Sequence, residues 1–313
     1  MVSAPTREPA VAEPTVAAAP ATRPVPQLVS VPLGLVRAAR PRQWVKNVLV
    51  VAAPAAAGQL ASRHTAVQLG IVFLLFTAAA AAVYLVNDAR DADADRAHPV
   101  KCRRPVAAGD VPVSVAYGTG GVLALGALAG GAALCNTLTA ALLAAYLAMQ
   151  FAYCLRLKHV LVVDLAVVTT GFVMRAMIGG VALGIPLSRW FLITTGFGAL
   201  FMVAAKRYSE AVQMKGGGAT RVLLTEYTTG YLRFVWQLAA GVAVLGYCLW
   251  ALENSGTWRQ LSTIAFILAV LRYAVFADRG TAGAPEDVVL RDRPLAVIGL
   301  AWLAMYGMAV ADL

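Results

Sequence analysis

The chain has 313 residues, of which 60% are hydrophobic and only 13% charged, with a formal net charge of +10. A soluble globular domain carries about 25% charged residues, so this composition excludes one and points to a polytopic membrane protein. A basic excess in such a chain reflects topology first, and no nucleic-acid partner is expected.

Residues 1–30 are mainly Ala, Pro and Val with scattered Arg7, Glu8, Glu13 and Arg23. They lack the continuous apolar core of a signal peptide and read as a disordered cytoplasmic tail. Residues 31–313 read as one transmembrane catalytic domain. Apolar stretches of spanning length fall at approximately 44–62, 65–86, 111–133, 136–155, 160–184, 189–205, 228–252, 260–277 and 293–312, about nine helices in an all-α fold. The stretches from Gly118 to Gly131 and Gly171 to Gly184 are rich in small residues, which suits close helix packing in lipid. Cys102, Cys135, Cys154 and Cys248 match no zinc spacing and read as isolated small hydrophobes or free thiols.

If the tail lies inside and the spans alternate, 21 of the 26 Lys and Arg fall at inner ends, and only Arg63, Arg189 and Arg259 fall outside. The positive-inside rule then puts the segments 87–110, 156–159, 206–227 and 278–292 on the cytoplasmic face of a multi-pass inner (plasma) membrane protein.

The segment Asn87-Asp88-Ala89-Arg90-Asp91-Ala92-Asp93-Ala94-Asp95-Arg96 places four aspartates in eight positions directly after an apolar stretch ending at Val86. On a helix, Asn87, Asp91 and Asp95 stack on one face with Asp88 beside them, while Asp93 points away. Like carboxylates at that spacing repel, so the pattern favours a cation among them, and Mg²⁺ fits as a hard ion held by one or two carboxylates plus substrate phosphates. Asn87, Asp91 and Asp95 are therefore the candidate metal ligands, and Asp88, Asp91 and Asp95 the candidate catalytic residues. Arg90, Arg96, Lys101, Arg103 and Arg104 interleave with them as phosphate donors. A solvated charged loop is the weaker reading, because acids at a membrane boundary are costly.

Four further constellations each admit two readings. The tract Arg40-Pro41-Arg42-Gln43-Trp44-Val45-Lys46-Asn47 is either an interfacial anchor or a source of pocket residues Arg42, Lys46 and Asn47. Arg156 and Lys158 either bind phosphate or are ordinary inside-positive residues, and His159 is a weak general-base candidate. In Lys206-Arg207-Tyr208-Ser209-Glu210, Glu210 is either a further metal ligand or the i+4 ion-pair partner of Lys206. Asp164 and Arg175 are expected within the fifth span, on one face, at an insertion cost of about 2.5–3.5 kcal/mol each, facing a watery cavity or making polar packing contacts. Gly216-Gly217-Gly218 reads as a flexible lid or linker.

An Asn-x-x-x-Asp-x-x-x-Asp motif after the second of about nine helices, with a second polar motif after the sixth, resembles the UbiA-type intramembrane prenyltransferase superfamily. The tract from Arg40 to Asn47, the segment Asn87-Asp88 with Asp91 and Asp95, His98-Pro99, Arg104-Pro105, Leu157-Lys158-His159 and Lys206 to Glu210 resemble its decaprenyl-phosphate phosphoribosyltransferase branch. The resemblance implies a helical bundle around a central cavity open to the cytosol. It also implies a 5-phosphoribosyl 1-pyrophosphate donor held through Mg²⁺ by Asn87, Asp91 and Asp95, and a polyprenyl (decaprenyl) phosphate acceptor. The product would be a precursor of cell-wall arabinan. Lys206 to Glu210 replaces the usual second acidic motif with mostly basic residues, which suits a donor carrying an extra 5-phosphate. An aromatic prenyltransferase or a transporter is the alternative, and a homo-oligomer is left open.

Overall fold

The computed structural model describes residues 30–214, 226–253, 256–283 and 285–311. The expected tail and the Gly216–Gly218 linker lie outside the described residues. Every regular element among the described residues is helical. Short α1 (Ser30–Ala38), a 3-10 segment (Pro41–Val51) and α2 (Ala52–Ala56) precede the long α3 (Arg63–Arg90). Three short turns follow: α4 (Ala92–Arg96), a 3-10 turn (Lys101–Arg103) and α5 (Pro105–Ala108). The chain then runs through α6 (Val113–Leu134), α7 (Thr137–Leu155), a 3-10 turn (Leu157–His159), α8 (Val163–Ala182) and α9 (Arg189–Met214). The last elements are α10 (Thr229–Glu253), α11 (Thr257–Asp278), α12 (Pro285–Arg291) and α13 (Arg293–Val310).

Among the described residues, seven helices are long and apolar enough to cross a membrane: α3, α6, α7, α8, α10, α11 and α13. Large apolar side chains such as Leu74, Val122, Leu138 and Leu300 stay exposed on them, as lipid-facing positions must be. The chain is an integral membrane protein.

Two of the expected windows are absent from those seven. The window at 44–62 folds instead as a 3-10 segment (Pro41–Val51) running into the short α2, which contains Pro54. Its elongated rise still gives residues 41–56 a reach of about 30 Å. Arg40 meets Asp88 at one end of the bundle, and Gly58 approaches Val310 at the other. The window at 189–205 is part of α9, which continues as helix to Met214, so Lys206 to Glu210 lie on a helix and not in a loop.

Packing depends on small residues. A Cβ on Gly179 of α8 would overlap the Val50 carbonyl oxygen, so only glycine lets α8 pack on the 3-10 segment. Gly120 of α6 fits against Ala82 and Val86 of α3 in the same way. One core groups α3, α6, α7 and the second half of α8 around Phe76, Leu143 and Ile178. A second groups α9, α10 and α11 around Phe201, Leu232 and Tyr273, with Leu165 from the start of α8. At the end of the bundle opposite the aspartate segment, Asn136 caps α7 by accepting from Thr139 N (2.8 Å) and donates to the Val181 carbonyl of α8 (2.9 Å).

Candidate active site

Alternation of the helices gathers the C-terminal end of α3, the α7–α8 turn and the C-terminal part of α9 at one end of the bundle, together with residues 92–108. The aspartate segment is a nearly continuous helix with one break. α3 ends at Arg90 and Asp91 caps it at φ −88°, ψ 7°. Helical hydrogen bonds persist across the break, from Asp91 N to the Asn87 carbonyl (2.9 Å) and from Asp95 N to the Asp91 carbonyl (2.8 Å). The expected face therefore survives as two sub-faces.

Asp88, 2% exposed, accepts from Arg40 Nη2 (2.5 Å) and Arg104 Nη1 (3.1 Å). Asp95, 3% exposed, accepts from the same Arg104 nitrogen at 2.7 Å. Arg104 therefore ties α3 to α4, and the Arg40 guanidinium also stacks over Tyr84 at 4.8 Å. The side chain of Asp91 is 25% exposed, and both its oxygens accept from Lys158 Nζ, at 2.9 and 3.0 Å. Asp93 is exposed and pairs with Arg96. His98 accepts the backbone N–H groups of Val100 and Lys101 and so shapes the turn between the aspartates and Arg104.

A second polar cluster lies where α7, α8 and α9 meet. Asp164, 1% exposed, sits in the first turn of α8, not at mid-span. It accepts from Tyr153 Oη (2.5 Å), Arg207 Nε (3.1 Å) and Arg207 Nη2 (3.3 Å). Arg207 Nη1 donates to Glu210 at 3.1 Å, so Glu210 pairs at i−3 and not with Lys206. Nearby, Val162 holds φ 66°, a strained value for a β-branched residue. Its N–H donates to Tyr227 Oη at 2.8 Å, which ties the α7–α8 turn to the chain just before α10. Burial raises the Tyr227 phenol above its ordinary value, and the N–H donated by Val162 opposes that shift without cancelling it. Tyr208 accepts from Arg233 at 2.6 Å.

The remaining candidates lie apart from these clusters or on their surface. Arg175 is buried inside α8 and donates to Asn47 Oδ1 (3.0 Å), Tyr146 Oη (2.9 Å) and the Gly171 carbonyl (2.8 Å), among the rings of Phe76, Tyr146 and Phe172. Asn47 also donates to Thr77 at 3.0 Å. This is a polar packing contact three turns from Asp164. Arg90 donates to the Leu155 carbonyl at 3.4 Å. Arg42, Arg103 and Arg156 are exposed, and Lys46, Lys101 and Lys206 are half-buried.

Asn87, Asp91 and Asp95 each carry a side-chain oxygen, the ligand type Mg²⁺ requires. Among the described residues no three His, Cys, Asp or Glu converge on one point. Mg²⁺ needs only one or two carboxylates when substrate phosphates complete its shell, so Asp91, partly exposed and held by a single movable lysine, fits that role.

Residues 48–291 match the sequence profile of the UbiA prenyltransferase family. The chain belongs to the UbiA prenyltransferase family. Its relatives include decaprenyl-phosphate phosphoribosyltransferases of Mycobacterium tuberculosis, 51% identical over 93% of this chain and 97% of the relative, and of Corynebacterium glutamicum, 47% identical over 88% and 86%. The fold resembles that of a UbiA homolog from Archaeoglobus fulgidus solved with GPP and Mg²⁺. That likeness has a TM-score of 0.69 and 19% identity over 90% of this chain and all of that one. UbiA membership agrees with the sequence resemblance. Arg40, Tyr153, Tyr227 and Arg233 are not marked as site residues by the sequence, because their roles depend on contacts across 48, 11, 65 and 25 residues respectively that no local pattern encodes.

Proposed function

We propose that the protein transfers the 5-phosphoribosyl group of 5-phosphoribosyl 1-pyrophosphate to a polyprenyl phosphate, releasing pyrophosphate, at the aspartate end of the bundle facing the cytoplasm of the plasma membrane. The observation that carries this reading is the pairing of Asp91 with Lys158 across two elements, in a chain 44–51% identical to relatives named for that reaction. The bond from C1 of the ribose to the pyrophosphate oxygen breaks, and an oxygen of the acceptor phosphate forms the new bond to C1. The acceptor is already an anion, so no strong general base is required.

Asn87, Asp91 and Asp95 would hold Mg²⁺ in this reading, which would supply Lewis-acid neutralisation of the leaving pyrophosphate. Lys158 leaves Asp91 for a phosphate oxygen as the donor enters, and so supplies a cation already in place. Arg104 keeps Asp88 and Asp95 in register and holds the 92–104 turn over the site. Arg207, fixed on one side by Asp164 and on the other by Glu210, faces the donor's 5-phosphate together with Lys206 and Tyr208. Arg42, Lys46, Lys101, Arg103 and Arg156 supply positive potential around the mouth. The product serves cell-wall arabinan precursor synthesis.

The test is transfer of radiolabel from 5-phosphoribosyl 1-pyrophosphate to decaprenyl phosphate by purified protein, with and without Mg²⁺. A labelled lipid that appears only with the metal is the expected result. Folded protein that transfers nothing to the lipid, yet consumes a prenyl pyrophosphate, would move the assignment to an aromatic prenyltransferase.

A further inference from the structure

A groove of 460 Å³ opens between α3, α6 and α7 at the aspartate end. Val86 of α3, Gly121, Ala124 and Leu125 of α6 and Phe151 of α7 form its apolar walls, and Arg90 is the charged side chain in its lining. Arg90 is the last residue of α3, adjacent to Asp91, and its one long bond to the Leu155 carbonyl (3.4 Å) leaves most of the guanidinium to another acceptor. Cys154 and Leu155 at the end of α7 also line the groove, and Lys158 just beyond them pairs with Asp91, so groove and aspartate site adjoin. Gly121 leaves open space where a side chain would stand.

We infer that this groove seats the first isoprene units of the polyprenyl phosphate acceptor, with Arg90 taking its phosphate. The assignment rests on the proposed reaction. An apolar trough with a cation at its polar end complements an amphiphile with one apolar chain and one anionic head. The cation's position, one residue from Asp91, puts that head beside the donor site and not elsewhere on the lipid-facing surface.

Gly121→Leu fills the trough without a clash, because no atom lies within 4 Å of its Cβ position. Gly126→Leu, equally unhindered on the same helix but outside the groove lining, is the control. Gly121→Leu is expected to raise KM for decaprenyl phosphate about tenfold, the loss of one or two buried methylene contacts, and to leave KM for the donor unchanged. Gly126→Leu moves neither. Arg90→Gln raises acceptor KM, and Arg90→Lys recovers part of it. Equal behaviour of the two glycine variants in an active enzyme would overturn the groove and leave the reaction standing.

A second measurement needs no turnover, so failure of the reaction is distinguishable from failure of the groove. A photoactivatable polyprenyl phosphate is crosslinked to the wild-type protein and the labelled peptides are mapped. Labels on residues 117–125 and 151–155 that decaprenyl phosphate competes away support the groove. Labels elsewhere, or equal labelling by a photoactivatable phosphatidylglycerol that decaprenyl phosphate does not displace, would sink it.

Discussion

The aspartate segment and the α7–α8–α9 cluster lie at the same end of the molecule and use the same residue types, but they are built in opposite ways. In the first, Asp91 is partly exposed and answers to one lysine from another element. In the second, Asp164 is buried and carries three hydrogen bonds from two helices, and its arginine is shared with Glu210. A charge held by one long, movable partner can exchange that partner for a ligand at small cost. A buried charge with its acceptor sites filled cannot, because every exchange leaves a desolvated group unpaired. Asp91 is thus suited to chemistry and the second cluster to holding an arginine still.

The largest effect should come from Asp91. Asp91→Ala is expected to lower turnover about a thousandfold or more, the scale of losing a metal or transition-state charge partner. The partly exposed ion pair it breaks stabilises the fold by at most about 1 kcal/mol, so the melting temperature in detergent should hardly move. Near-normal turnover by radiolabel transfer would remove the metal assignment.

Asp164→Asn should reverse that balance. Breaking a buried pair costs about 3 kcal/mol of stability, because Arg207 keeps its charge and loses its main acceptor. The expected signature is a large drop in melting temperature together with a raised KM for the donor, read from thermal unfolding and steady-state kinetics. If the melting temperature is unchanged while turnover collapses, Asp164 belongs with the chemistry and the comparison fails. Tyr153→Phe removes one hydrogen bond to the same carboxylate and should cost about 1.5 kcal/mol, half the effect with the same signature.

Much of this was legible in the sequence, and the rest fails for identifiable reasons. The helical class and most crossings follow from apolar length alone, because a bilayer admits few alternatives. The first crossing differs in kind, since hydropathy does not distinguish a 3-10 segment running into a five-residue helix from one regular helix. α9 was cut short at residue 205 because a hydropathy window stops at Lys206-Arg207, whereas the backbone continues wherever those side chains find partners, here Asp164 and Glu210. The stacking of Asn87, Asp91 and Asp95 was readable from i+4 spacing, and the structure adds the break at Asp91. The pairing of the segment's cations is not readable: Arg104, which holds Asp88 and Asp95, is one basic residue among five in its loop, and Arg40 lies 48 residues from its partner Asp88. For Arg175 the sequence admits a watery cavity or a polar packing contact, and the structure shows the contact, among neutral acceptors and rings.

The smallest effect is expected at the rim, where Asp292 combines features of both regions. It accepts from Arg272 through both oxygens, at 3.0 and 2.7 Å, and caps α13 by accepting from Leu295 N at 2.8 Å. The Arg272 hydrogen bond, ahead of the backbone bond, holds its carboxyl below the ordinary carboxylate value of 3.8. A carboxylate whose folded pKa is depressed binds protons less readily folded than unfolded. Its contribution is therefore fully present above the unfolded value and is lost as pH falls through the folded one. Melting temperature measured downward from pH 6 should show a shallow loss beginning near pH 4, and Asp292→Asn should flatten that part of the curve without changing transfer at pH 7. A variant that melts normally but transfers slowly at neutral pH would mean that the end of α11 and the start of α13 report to the site, and that the rim is part of the same charge system as Asp164.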